Sequence, residues 1–191
     1  MSKTKKILSL FLFFITIFLI VLNSNEKNAS IKIHKEPYNI KPDYQINNSI
    51  TFIYAKNGNL IYKFISKKID SYTEKKYIWF SDPILISYNK SGKTNWIIKG
   101  FKAKLTNIKM LYFYDDIEFN SLKKKSFIQK ISTKNAILNL NTQELSSKSQ
   151  AIIIGNNLNS SGTGIQINLR TETAELIKDV KTYFKIITKN E

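Results

Sequence analysis

Cysteine is missing from this 191-residue chain, and that absence removes several chemistries at once. There is no disulfide framework, no thiolate metal site, no thiol nucleophile and no cysteine to carry a lipid. Histidine is nearly missing too. His34 stands alone in a polar stretch, so His-based metal clusters and Ser/His/Asp or Cys/His triads have nothing to build on. No Gly-x-x-x-x-Gly-Lys-Ser/Thr loop occurs, so any ATP hydrolysis belongs to another subunit. Asp115, Asp116 and Glu118 could imitate an acid pair, but they sit where a strand turns and read as solvated turn residues. No enzymatic activity, cofactor or metal is expected.

Arginine is almost absent as well. Of 30 basic residues only Arg170 is an arginine, against 14 acidic residues and a formal net charge of +16. Such a charge suggests nucleic acid, but base-reading and phosphate-clamping surfaces favour the planar arginine fork. The excess of Lys, Ile and Asn reads instead as compositional bias with a solvated lysine surface, and no nucleic-acid partner is expected. Attraction to anionic lipid headgroups, about 1 kcal/mol per lysine near the surface, is the functional alternative. Arg170 itself is a candidate for a bidentate carboxylate contact, with chance retention as the plain alternative.

What is present begins with Lys3, Lys5 and Lys6, followed by an uncharged apolar run from Ile7 to Leu22 whose polar residues are Ser9 and Thr16. As a helix this run spans ~24 Å, short of the ~30 Å hydrocarbon core. Snorkelling lysines and an interfacial Asn23–Asn25 close the gap. The run is either a cleaved secretory signal or an uncleaved anchor. Its length and the lack of a small-residue cleavage pattern favour the anchor. Lysines ahead of the span keep the N-terminus cytoplasmic and send the rest across.

From there on the pattern is β. Polar residues with Pro37 and Pro42 read as a linker over 25–44. Short strands are expected at 50–55, 60–66, 76–80 and 84–88, the last just after Pro83. More follow at 96–99, 102–105, 109–114 and 117–119, the last two separated by Asp115-Asp116. Further runs fall at 128–132, 137–140, 151–154, 165–169, 174–177 and 180–187. Asn57-Gly58 and Ser91-Gly92 mark turns. Many short strands at regular spacing mean an all-β sandwich, jelly roll or barrel. A weak repeat runs through them. Gly100, Leu105 and Asp116-Ile117 are echoed by Gly164, Leu169 and Asp179-Val180 at offsets of 64, 64 and 63. Phe80-Ser81 is echoed by Leu145-Ser146 at 65.

The segment Lys102-Ala-Lys-Leu-Thr-Asn-Ile-Lys-Met-Leu-Tyr-Phe-Tyr114 closely resembles the middle of the LptC family, inner-membrane-anchored components of lipopolysaccharide export. Trp79-Phe80 with Pro83-Ile84, Asn159-Ser-Ser-Gly162, and Asn168-Leu-Arg170 with Ala174-Glu-Leu-Ile177 resemble the same family. The resemblance implies a twisted β-jellyroll of two antiparallel sheets, V-shaped and LptA/OstA-like, behind one N-terminal transmembrane helix. It implies a cytoplasmic tail over 1–6, an anchor over 7–24, a periplasmic linker over 25–44, the jellyroll over 45–187 and a tail over 188–191. It further implies an inner-membrane, single-pass protein that takes lipopolysaccharide from the LptB/LptF/LptG transporter and hands it to LptA. The alternative is a tethered β-domain that acts as a structural adaptor without lipid.

Site residues follow from the resemblance alone. It favours Ser49, Phe80, Tyr114, Ala174 and Phe184 as lumen residues that touch lipopolysaccharide. Parity cannot decide which strand face is inside, because Met110, Tyr112 and Tyr114 alternate with the equally apolar Leu111 and Phe113. Gly155 matches a family glycine, is read as holding a backbone conformation that other residues resist, and joins Tyr183 and Lys185 as a candidate partner-interface residue. Tyr183 and Lys185 lie on the last strand, the expected edge for LptA, with the start of the domain facing the transporter.

Overall fold

The computed structural model describes residues 41–89, 91–123 and 126–185, and these are all β. The run Ile7–Leu22 and the C-terminal Ile186 and Ile187 lie outside the described residues. Among the described residues no helix is long and apolar enough to cross a membrane.

Eleven strand segments pair antiparallel in one continuous sheet. They are β1 (Tyr44–Tyr54), β2 (Leu60–Tyr72), β3 (Tyr77–Ser81), β4 (Ile84–Tyr88), β5 (Thr94–Lys99) and β6 (Lys102–Thr106). Then come β7 (Met110–Ser121), β8 (Ile128–Asn139), β9 (Glu144–Gly155), β10 (Leu158–Asn168) and β11 (Thr173–Phe184). The registers explain the architecture. β2 pairs with β3 through Lys68–Tyr72 and with β4 through Tyr62–Ile65. β7 pairs with β6 through Leu111–Tyr114 and with β5 through Glu118–Ser121. So β3–β4 and β5–β6 are each one strand, broken at Asp82–Pro83 and at Gly100–Phe101. Counted that way, the eleven segments make a nine-strand meander.

Every strand of the meander changes direction near its middle, and the kinks line up as a seam. It passes through Asn48, Ser66–Lys67, Asp82–Pro83, Gly100–Phe101 and Asp115–Asp116, then through register shifts in β8, β9 and β10 to Asp179. The sheet folds along this seam into two leaves. The first leaf holds β3, β6 and one half of each long strand; the second holds β4, β5 and the other halves. The sequence supplies the kinks through residues that tolerate positive φ. Asn48 (52°), Asp82 (48°), Asp115 (59°), Asp116 (50°) and Asp179 (52°) all sit on the seam, and Asn and Asp adopt this region more readily than other non-glycine residues. Hydroxyls occupy places where ladder bonds lapse. Ser66 Oγ lies 2.8 Å from the carbonyls of both Ser81 and Lys68. Thr133 Oγ1 donates to the Gln150 carbonyl at 2.9 Å and lies 3.0 Å from Ser147 Oγ.

The kinks correct the sequence reading of the strands. The runs expected on either side of Asp115-Asp116 are one strand, as are those at 128–132 and 137–140; the run at 174–177 and the start of that expected at 180–187 both belong to β11, which ends at Phe184. β1 begins at Tyr44, inside the expected linker. The repeat gains a meaning: Gly100 to Asp116 and Gly164 to Asp179 each run from the seam, around a hairpin tip of the first leaf, and back to the seam.

The core lies between the leaves. Phe80, Ala103, Leu111, Phe113, Leu138 and Leu145 of the first leaf face Phe64, Leu85, Ile98, Phe119 and Ile131 of the second, all buried. Near the seam the Phe64 and Phe80 rings meet edge to face at 4.5 Å.

Candidate functional site: the cleft between the leaves

The cleft is packed in its middle strands and open at its two edges. On β1, Ser49, Thr51 and Ile53 pair with Ser66, Phe64 and Tyr62, so they share the inner face. Thr51 and Ile53 join Phe64, Phe80, Leu85, Leu105, Leu111 and Leu140 around an apolar cavity of about 70 Å³. Beyond the kink, Tyr44 and Ile46 continue the inner face and are 50% and 44% exposed. At the far edge, Ala174 pairs with Ile167 and is half-buried, while Phe184 pairs with Leu158 and is 69% exposed. Apolar surface thus runs from one edge strand, through a closed core, to the other.

The strands place four of the five expected lumen residues on this face: Ser49, Phe80, Ala174 and Phe184. Ser49 is half-buried beside the seam, with its hydroxyl 3.5 Å from the Ser66 carbonyl. Tyr114 is a correction. It pairs with Lys102 and Asn135 on the outer face, while its neighbour Phe113, 1% exposed, takes the inner one. Its ring packs against Trp79 with centroids 5.4 Å apart, and burial there pushes its hydroxyl pKa above the usual tyrosine value. Lys102 and Lys104 lie over the Trp79 and Tyr77 rings at 4.2 and 4.0 Å, so this outer face is an aromatic–lysine layer.

Gly155 is also corrected. It is buried, and its φ is not among the positive ones. A Cβ there would stand 2.4 Å from the Phe127 carbonyl oxygen, so close backbone approach is the reason for glycine. Tyr183 is 68% exposed on the outer face of β11, opposite Asn159. Lys185 is exposed, and its backbone N–H donates to the Asn157 carbonyl at 3.0 Å. Arg170 meets an amide in place of the expected carboxylate: its Nε donates to Gln143 Oε1 at 3.2 Å.

Tyr44, Ile46, Thr51 and Ile53 escaped the sequence reading. The signal is their alternation, which the kink at Asn48 shifts by one residue, so that 44 and 46 share a face with 49, 51 and 53.

Residues 9–185 match the family described as "Lipopolysaccharide-assembly, LptC-related". The chain belongs to the LptC family. It is 34% identical over 189 residues to the lipopolysaccharide export system protein LptC of Escherichia coli K12, covering 99% of this chain and 98% of that protein. The Haemophilus influenzae protein of the same name is 29% identical over 180 residues, 85% of each chain. Among solved structures, LptH of Pseudomonas aeruginosa superposes with a TM-score of 0.52. LptH is described as the LptA-homologous periplasmic component of the lipopolysaccharide transport device. It covers 65% of this chain and 95% of its own, at 7% identity, which shows a shared LptA-like jellyroll fold and nothing finer.

Proposed function

We propose that this protein is a non-enzymatic lipopolysaccharide carrier of the export system, which holds acyl chains between its leaves and leaves the sugars in water. Family membership supports the role in lipopolysaccharide transport. The observation that carries the route is the continuous apolar inner face, exposed at both edge strands and closed between them. Lipid extracted by the LptB/LptF/LptG transporter enters at the β1 edge, near Ser49, and leaves for LptA at the β11 edge, near Ala174 and Phe184. In this reading Ile7–Leu22 anchors the chain in the inner membrane and 25–43 spaces the jellyroll from it in the periplasm.

A cavity of about 70 Å³, roughly two waters' share of liquid volume, does not hold an acyl chain. Loading therefore requires the leaves to part, and the seam is where they hinge. That same small volume favours the second reading, an adaptor that joins neighbouring jellyrolls without carrying lipid. Photo-crosslinkers separate the two. Placed at Phe80 and Ser49 in cells, they are expected to capture lipopolysaccharide, whereas one at Tyr114 on the outer face captures none. Capture at Tyr114 with none at Phe80 would overturn the route, and capture at neither would leave the adaptor.

A further inference from the structure

The seam is only one border of the cleft; the strand ends form another. Hairpin tips of the first leaf, residues 140–143 and 169–172, meet tips of the second leaf around a hollow of about 800 Å³. Its walls include Tyr88, Ser91, Asn95, Gln143, Arg170 and Thr171. Neighbouring asparagines have an internal task. The side-chain oxygens of Asn57, Asn89, Asn139 and Asn168 accept backbone N–H groups of their own turns. Asn95 differs: it is 3% exposed, and its Oδ1 has no partner. Behind that wall the Tyr62 hydroxyl, 1% exposed, makes no well-formed hydrogen bond and leans on Gln143 and Arg170. Buried polar atoms without partners are uncommon and costly, and Asn95 Oδ1, in the wall of the hollow, calls for a ligand.

The donor set says what kind. Arg170 has five N–H donors, and Gln143 takes the one on Nε, which leaves the terminal pair for an anion. Asn95 Oδ1 accepts, and the Ser91 and Thr171 hydroxyls, bonded to Asn89 and Thr173, keep lone pairs to accept with. Tyr88 supplies a ring. A polyhydroxylated molecule that carries a carboxylate or phosphate matches that inventory; an acyl chain does not. We propose that this hollow is a subsite for an acidic sugar. That the sugar is the polar part of the same glycolipid rests on the function proposed above; the binding chemistry does not.

The test uses the full chain in detergent micelles and saturation-transfer NMR with glucuronate, glucose 6-phosphate and glucose, with inorganic phosphate added as a competitor because it carries no carbon-bound protons to observe. Glucuronate and glucose 6-phosphate are expected to bind and glucose to bind more weakly. Arg170→Gln, in an exposed tip that does not disturb the core, should weaken the acidic sugars about ten- to a hundredfold. Asn95→Ala should weaken all three sugars. No saturation transfer from any sugar, or loss of half the glucose 6-phosphate signal to an equal concentration of phosphate, overturns the subsite. Lipopolysaccharide capture at Phe80 without sugar binding sinks the subsite alone; sugar binding without capture at Phe80 sinks only the lipid route.

Discussion

At the scale of single residues, burial decides what each group can do. Desolvation pushes the Tyr62 hydroxyl from 10.0 up to about 12. The folded state therefore holds this proton more tightly than the unfolded chain. The associated stability is present in full below pH 10 and is lost as pH climbs from 10 towards 12, about 2–3 kcal/mol in all. Urea midpoints measured at pH 8 and pH 11 should fall steeply for the parent chain and much less for Tyr62→Phe. At pH 8 that variant should lose about 1 kcal/mol or less, because the hydroxyl makes no well-formed hydrogen bond. Glu118 shows the opposite sign. The hydrogen bond from Lys130 lowers its pKa, so its contribution is present above the usual carboxylate value and is lost as pH falls through the folded one. The pair is exposed enough to matter little. At Gly155 the limit is steric. Gly155→Ala must displace the Phe127 carbonyl, and calorimetry should show a lower Tm equivalent to about 1–3 kcal/mol.

At the scale of elements, the hairpin tips clasp the leaves and the edge strands leave them open. Lys123, after β7, reaches both carboxylate oxygens of Glu172 on the β10–β11 tip, at 2.5 and 2.7 Å. With side chains 42% and 29% exposed, the pair is worth about 0.2–1 kcal/mol. Lys123→Ala should barely move Tm, yet hydrogen exchange at residues 140–143 and 169–172 should quicken while the core strands stay protected. Equal protection at the tips would deny the clasp. A chain ending at Lys178 loses the second half of β11 and should fold but fail to capture LptA. The turns were readable from Asn57-Gly58 and Ser91-Gly92, which both fall at tips. The long strands were not, because each kink interrupts a period-two pattern. Asp115-Asp116 looks like a hairpin turn in sequence, and only the register with β8 shows one strand running through it. The lumen face was illegible for a related reason. Tyr114 and Phe113 are both aromatic, and the outer aromatic–lysine layer makes the first leaf apolar on both sides.

At the scale of the whole molecule, the meander has two unlike ends. β1 carries no charged residue from Tyr44 to Tyr54, whereas β11 carries Glu175, Lys178, Asp179 and Lys181. Each leaves one row of peptide groups unpaired among the described residues. The protein therefore has a head and a tail. Joining by these edges is heterologous, and such contacts grow in one direction without closing unless a different partner caps them. The uncharged head has no electrostatic guard of its own against stacking on another sheet. In isolation it should be the first part to self-associate, with light scattering rising with concentration. Thr51→Lys should suppress that growth if the head is where it starts. The charge missing from β1 thus ties solubility to whether another sheet covers that edge.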